Sequence, residues 1–184
     1  MKITKTHIEG LLILEPNVFK DERGYFFESY NKNALYKAGI DVEFVQDNQS
    51  LSQKDVVRGL HFQKPPFAQA KLIRVIKGSV IDYDVDIRKV SPTYGKYVSV
   101  FLSAENYKQF YIPEGFAHGF EALEDDTIFF YKCSNFFHKE SEGCIFYNDK
   151  SINIDWKVKN PIVSKKDLAG DIFADFQTPF LYNL

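Results

Sequence analysis

Short apolar runs recur along this chain about every ten residues, at 11–14, 25–30, 42–45, 56–62, 72–76, 80–87, 97–102, 110–112, 128–131 and 144–147. No long amphipathic helix separates them, so the βαβ rhythm of a parallel sheet is excluded and the spacing points to a sandwich or barrel. The aromatic content agrees. Eighteen Phe, eleven Tyr and one Trp make 16% of the chain, and such flat, bulky side chains fit a pleated surface better than a helix. One helix is expected at residues 32–38, capped by Asn31 and closed by Gly39, with a further helical turn at 164–168. Residues 1–184 contain no repeat, low-complexity tract or Gly/Ser linker, and are expected to form a single all-β domain with a few short helices.

The net charge of -2, with no run of five or more basic residues, leaves no electrostatic footprint for a nucleic-acid polymer or an anionic membrane. The apolar run Leu11-Leu12-Ile13-Leu14 is too short for a secretory signal or a bilayer span, so a cytoplasmic protein is expected. Cys133 and Cys144 lack the partners of a zinc ribbon or a redox pair and read as reduced structural thiols. Without a GxGxxG turn, a Rossmann-bound dinucleotide is not expected.

Three segments carry polar groups inside apolar sequence. In 80–87, Ile81, Tyr83, Val85 and Ile87 alternate with Val80, Asp82, Asp84 and Asp86, so one face presents a polar stripe to solvent or to a wet interior. In Val57-Arg58-Gly59-Leu60-His61-Phe62-Gln63, Arg58 lies opposite Phe62 only if the strand bends at Gly59. In Pro113-Glu114-Gly115-Phe116-Ala117-His118, the PxGxxH pattern is one that cupin-type barrels use to turn a corner and aim a His inward. A metal cupin would pair this His with an HxH and a following acid, because a divalent ion needs three or four converging ligands. Gln63 and Phe67 stand at those positions, so no metal and no other cofactor is expected. The groups that remain are suited to acid–base chemistry: His61, Lys71, Arg23, Arg58 and Tyr131. Taken singly, His61 and Tyr131 read equally as core residues, and the two arginines as members of surface ion pairs.

In order along the chain, several motifs resemble the dTDP-4-dehydrorhamnose 3,5-epimerase family of the cupin superfamily. They are Asp21-Glu22-Arg23-Gly24-Tyr25-Phe26-Phe27-Glu28, Gln46-Asp47-Asn48, Arg58-Gly59-Leu60-His61-Phe62-Gln63, Gln69-Ala70-Lys71, Asp86-Ile87-Arg88, Pro113-Glu114-Gly115-Phe116-Ala117-His118-Gly119, Tyr131-Lys132-Cys133, Glu142-Gly143-Cys144 and Ser164-Lys165-Lys166-Asp167. The resemblance implies a cupin-type jelly roll working as a homodimer on a dTDP-deoxysugar, without metal or nicotinamide. It implies His61 as general base, Asp167 as the carboxylate that orients it, Tyr131 as general acid on the other sugar face, and Lys71 beside the C4 oxygen. It further implies that Arg23, Phe26, Glu28, Gln46, Asn48, Arg58, His118, Phe137, Glu142 and Lys166 hold nucleotide, diphosphate and sugar.

Three positions depart from the family pattern. Phe137 stands where a tyrosine is common and keeps the stacking face for thymine. Tyr83-Asp84 replaces small apolar residues, and the Asp84 carboxylate on the face of Asp82 and Asp86 bears on sugar specificity. Lys157 follows Trp156 where a proline is usual, with no functional effect expected. Other chemistries are known on the same barrel, among them epimerisation at one carbon, keto isomerisation and non-catalytic binding of a nucleotide sugar. The set His61, Asp167 and Tyr131 favours epimerisation.

Overall fold

The computed structural model describes residues 1–182. Its strands in chain order are β1 (Lys2–Lys5), β2 (Leu12–Glu15), β3 (Phe19–Asp21), β4 (Gly24–Phe26), β5 (Gln46–Ser52), β6 (Val56–Gln63), β7 (Lys71–Lys77), β8 (Ser79–Asp86), β9 (Tyr97–Ser103), β10 (Gln109–Ile112), β11 (Phe116–Ala122), β12 (Thr127–Cys133), β13 (Glu142–Cys144) and β14 (Ile162–Val163). Helix α1 spans Lys32–Lys37 and α2 spans Lys165–Leu168. Two sheets form a jelly roll, one in the order β1-β2-β10-β7-β12-β5 and the other β13-β6-β11-β8-β9, with β14 parallel to β6. Strands β3 and β4 make a separate ribbon. Among the described residues no helix is long and apolar enough to cross a membrane.

Both sheets are covered on both faces. Between them, Ile73, Val75, Phe110 and Phe129 of the first sheet meet Val80, Val100, Leu102, Phe116 and Phe120 of the second. The outer face of the first sheet packs Leu14, Leu72 and Tyr111 against Leu35 of α1 and Ile40. The outer face of the second packs Tyr83, Val85 and Ile87 against Ile145, Ile152, Ile154, Phe176 and Phe180. The apolar face of β8 therefore lies under the C-terminal segment, and its polar face points to the interior: Asp82, Asp84 and Asp86 are all fully buried.

Both expected helices are present, and each is opened by a side chain. Asn31 accepts from the Ala34 N–H, and Ser164 from the Asp167 N–H. The strand expectations at 25–30, 42–45 and 144–147 need correction; of the last, only Cys144 lies in a strand, and Ile145 makes a single bridge to Asp171. Only Gly24–Phe26 of the first is a strand, in the exposed ribbon. Val42 and Phe44 pack beside α1 without pairing as a strand. Strand β5 gives no apolar signal because it is polar at every position but Leu51, yet it pairs along its whole length with β12. Cys133 and Cys144 are both free thiols.

Candidate active site

The bend at Gly59 decides which side chains meet. Opposite β11, His61 pairs with His118 and Arg58 with Phe120, so two residues of β6 face one of β11 across a bulge. Gly59 takes φ +133°, a conformation that L side chains rarely adopt. The bulge sends Leu60 and Phe62 to the outer cluster while Arg58 and His61 both line the interior.

A cavity of about 230 Å³ opens between the sheets. From the first sheet it is lined by Gln46, Asn48, Ser50, Lys71, Phe129 and Tyr131, and from the second by Arg58, His61, Gln63, His118, Phe120 and Glu142. The polar residues of β5 that face inward are those that meet this wet space, which is why a strand without an apolar stripe is stable here. Phe137 stands exposed at the rim, where its backbone N–H donates to Gln46 Oε1 at 3.0 Å.

His61 Nε2 lies 2.6 Å from Asp167 Oδ1. The Gly59 N–H donates to Asp167 Oδ2 at 3.3 Å, and Ser164 holds the Asp167 backbone. Burial alone would raise the Asp167 carboxyl, but the His61 contact and the Gly59 N–H outweigh it and hold the carboxyl below its ordinary value. An ionised Asp167 fixes the tautomer: Nε2 carries the proton, and Nδ1 is left with a lone pair.

Tyr131 stands on β12, in the sheet opposite His61, and burial pushes its phenol above the usual value, so it keeps its proton. The Lys71 ammonium lies 5.8 Å from the Tyr131 ring centroid and 3.4 Å from His118 Nδ1. His118 Nε2 in turn lies 2.8 Å from Asp82 Oδ2. Burial, reinforced by the neighbouring Lys71, drops His118 to about 3, so its imidazole is neutral, donates from Nε2 to Asp82 and accepts at Nδ1 from Lys71.

Among the described residues, two groups come within reach of a metal, with donor atoms no more than 4.8 Å apart: His61, Cys144 and Asp167, and Asp82, Asp84 and His118. Both are already engaged within the protein. In the first, the Asp167 carboxylate is taken up by His61 and the Gly59 N–H, and burial raises the Cys144 thiol. The second has the Lys71 ammonium on its histidine. Gln63 does structural work instead: its amide donates to the carbonyls of Phe67 and Phe136 and accepts from the His138 N–H, tying down the rim.

Of the candidate residues, the cavity thus gathers His61, Lys71, Tyr131, Gln46, Asn48, Arg58, His118, Phe137 and Glu142. Asp167 sits behind His61, and Lys166 forms an ion pair with Glu142 at the edge. Arg23, Phe26 and Glu28 are not brought there. Arg23 binds Asp21 at 2.6 Å on the β3–β4 ribbon, Phe26 is exposed on the same ribbon, and Glu28 accepts from Asn31 beside α1. Ser50 and Gln69 also line the cavity; sequence reasoning gave them no role, although Gln69 stands in a motif that carried the family resemblance.

Residues 5–175 match the family described as dTDP-4-dehydrorhamnose 3,5-epimerase. A relative of that name from Shigella flexneri is 56% identical over 176 residues, covering 95% of this chain and 97% of its own. The crystal structure of a dTDP-6-deoxy-D-glucose-3,5-epimerase from Legionella pneumophila in complex with dTDP-4-keto-L-rhamnose superposes with a TM-score of 0.95 at 44% identity, covering 100% of this chain and 99% of that one. A 3'-monoepimerase from Streptomyces bikiniensis in complex with dTDP-quinovose superposes with a TM-score of 0.88 at 30% identity, covering 92% and 86%.

Proposed function

The chain belongs to the dTDP-4-dehydrorhamnose 3,5-epimerase family, and from that premise we propose how its cavity inverts C3 and C5 of dTDP-4-dehydro-6-deoxy-D-glucose to give dTDP-4-dehydro-L-rhamnose. The observation that carries the reading is His61 on one sheet, held at 2.6 Å by Asp167 of α2, with the protonated Tyr131 on the other sheet and Lys71 in the same cavity. Inversion α to a ketone needs a proton taken from one face and another returned to the opposite face. His61 Nδ1 takes the proton from C3 or C5, and the C–H electron pair moves into the C4 carbonyl as an enolate. Asp167 stabilises the imidazolium that forms, and Lys71 donates to the enolate oxygen, a charge absent from the ground state. Tyr131 gives its phenolic proton to the carbon from the far side. His61 then releases its proton to water and Tyr131 regains one from water, so each inversion brings in a solvent hydrogen.

Arg58, Gln46, Asn48, His118, Glu142 and Phe137 bind the rest of the substrate from within this chain, the guanidinium suiting a diphosphate and the Phe137 ring a base. Arg23, Phe26 and Glu28 complete the site from a second copy in a homodimer. This is supported by their absence from the cavity of their own chain and by the exposed aromatic ribbon that carries Arg23 and Phe26. The domain works in the cytoplasm without metal, and prolonged chelation leaves its rate intact. Proton NMR of the keto sugar nucleotide in deuterated water tests the reading. Deuterium is expected at both C3 and C5; deuterium at C3 alone makes the protein a monoepimerase, and none at either carbon defeats the proposal.

A further inference from the structure

Asp84 is fully buried, and neither of its oxygens has a hydrogen-bond partner; Asp82 Oδ1 is likewise unpartnered. A buried carboxylate with no donor is costly, so these orphan atoms call for a proton. Both residues point inward from β8, and Asp84 is the cross-strand partner of His118 on β11. A donor atom from each of Asp82, Asp84 and His118 falls within 4.8 Å of the others. A proton on one Asp84 oxygen donated to Asp82 Oδ1 gives both of those atoms a partner, leaves a neutral carbonyl oxygen of Asp84 as the one remaining orphan, and completes a line of four groups: Asp84–H to Asp82, His118 Nε2–H to Asp82, and Lys71 to His118 Nδ1.

We propose that Asp84 is a positioning residue that shares one proton with Asp82 and so holds the carboxyl pair, at the end of the Lys71–His118–Asp82 line, at a single negative charge beside the reacting centre. The inference rests on the epimerase reading for its kinetic consequence only. Burial lowers the Lys71 ammonium below its ordinary value while the facing carboxylates oppose this; one ammonium then faces one carboxylate, leaving the cluster neutral. Burial raises both carboxyls, Asp84 well above the ordinary range, while the bond from Asp84 and the Lys71 ammonium pull Asp82 back, so of the two Asp82 ionises first and Asp84 keeps its proton. The charged neighbours are few. On β8 itself, Asp86 is engaged by Arg88, Ser91 and Thr93. Strand β11 presents His118, β7 presents Lys71, and β9 sets apolar Val98 opposite Asp84. His61 on β6 acts on His118, while Cys133 on β12 and Glu142 on β13 act on Lys71; Tyr131 on β12 lies against that lysine. Ionising the second carboxyl would place a negative charge where the enolate forms, so turnover falls as the shared proton leaves.

Asp84→Asn supplies an amide N–H in place of the proton and cannot ionise, and Asp84→Ala removes the carboxyl. Infrared difference spectra of wild type minus Asp84→Asn should show a protonated carboxylic-acid band at neutral pH that disappears at alkaline pH. Wild-type kcat should fall about tenfold between about pH 7 and pH 9.5, and in both variants by less than about threefold. At neutral pH, Asp84→Asn should keep kcat within about threefold of wild type. A wild-type alkaline limb in the variants, with or without lowered stability, reduces Asp84 to a structural residue and overturns the proposal. Absence of the acid band overturns it as well. If neither variant folds, the wild-type band decides: titration along with the kinetic limb supports the proposal, and a band unchanged across the limb defeats it. The band is read without turnover, so its outcome is independent of whether the epimerase reading holds.

Discussion

Gly59 and Gly119 meet backbone to backbone: a Cβ on Gly59 would stand 2.5 Å from the Gly119 Cα and 2.9 Å from the His118 carbonyl oxygen. This contact lets β6 bulge against β11, turns both Arg58 and His61 into the cavity, and brings the Gly59 N–H to Asp167. Gly59→Ala adds a steric clash to a strained φ of +133°. A loss of about 2–4 kcal/mol in urea unfolding is expected, together with a fall in kcat per folded molecule because base and diphosphate-binding group are misaimed together. Wild-type stability would show that the sheet accommodates the methyl and that the bulge does not depend on glycine.

His61→Asn removes the base without emptying its place. Turnover should fall by about 10²–10⁴-fold while dTDP affinity stays within a few-fold, because proton abstraction and ground-state binding are separate tasks. Wild-type wash-in of deuterium in this variant would assign the base elsewhere.

Asp167→Asn keeps the shape of the side chain and loses its charge. The imidazole then lacks the acceptor that selects its tautomer and the carboxylate that stabilises its cation, so kcat should drop by about 10–10³-fold, less than for His61→Asn. The pH–rate profile should change with it, and an unaltered profile breaks the pairing.

The Asp86 carboxylate gives a stability test away from the reaction. It is fully buried, bound by Arg88 at 2.7 Å and by the Ser91 and Thr93 hydroxyls. Burial alone would raise its pKa, but these partners bring it below 3.8. A depressed folded value means that its contribution is present above the unfolded pKa and is lost as pH falls through the folded one. Asp86→Ala should cost about 2–4 kcal/mol at neutral pH, since the mostly buried Arg88 loses its carboxylate and keeps only the Glu9 carbonyl and the Phe116 and Tyr182 rings. The gap to wild type should narrow as the solution is acidified below 3.8. A gap that stays constant with pH would mean that lost packing, not the charge, sets the cost.

The barrel was legible because apolar runs mark the strands that fill its core, and the first helix because Asn31 sits at its cap; the expected turn at 164–168 is present with Ser164 as its cap. Strand β5 was not, because the side chains it turns inward meet a polar cavity and leave no alternation of hydrophobicity to read. The face of Arg58 depended on whether Gly59 bends the strand, which only the pairing with Gly119 decides. The interior placement of Asp82 and Asp84 was equally open, since one alternating pattern serves a solvent face and a wet core until the segment covering Tyr83 and Val85 is known. Arg23 and Phe26 show the opposite limit: motif order marks them for substrate binding, whereas their own chain leaves them outside its cavity.

Tyr131→Phe separates the two halves of the reaction. His61 and Lys71 are untouched, so a proton can still be abstracted and the enolate held, and deuterium can return from the His61 side with retention. Exchange should therefore persist while epimer formation falls by about 10²-fold or more, the usual contribution of a positioned acid. A phenol with only a structural task would act differently. It is half-buried, and losing its hydroxyl would cost about 1–2 kcal/mol of stability and lower exchange and inversion together. Wash-in and product are therefore measured on one folded sample, with thermal unfolding alongside. If the ratio of epimer to exchange stays at the wild-type value, Tyr131 is not the acid, and the proton reaches the far face from another phenol or from water in the cavity.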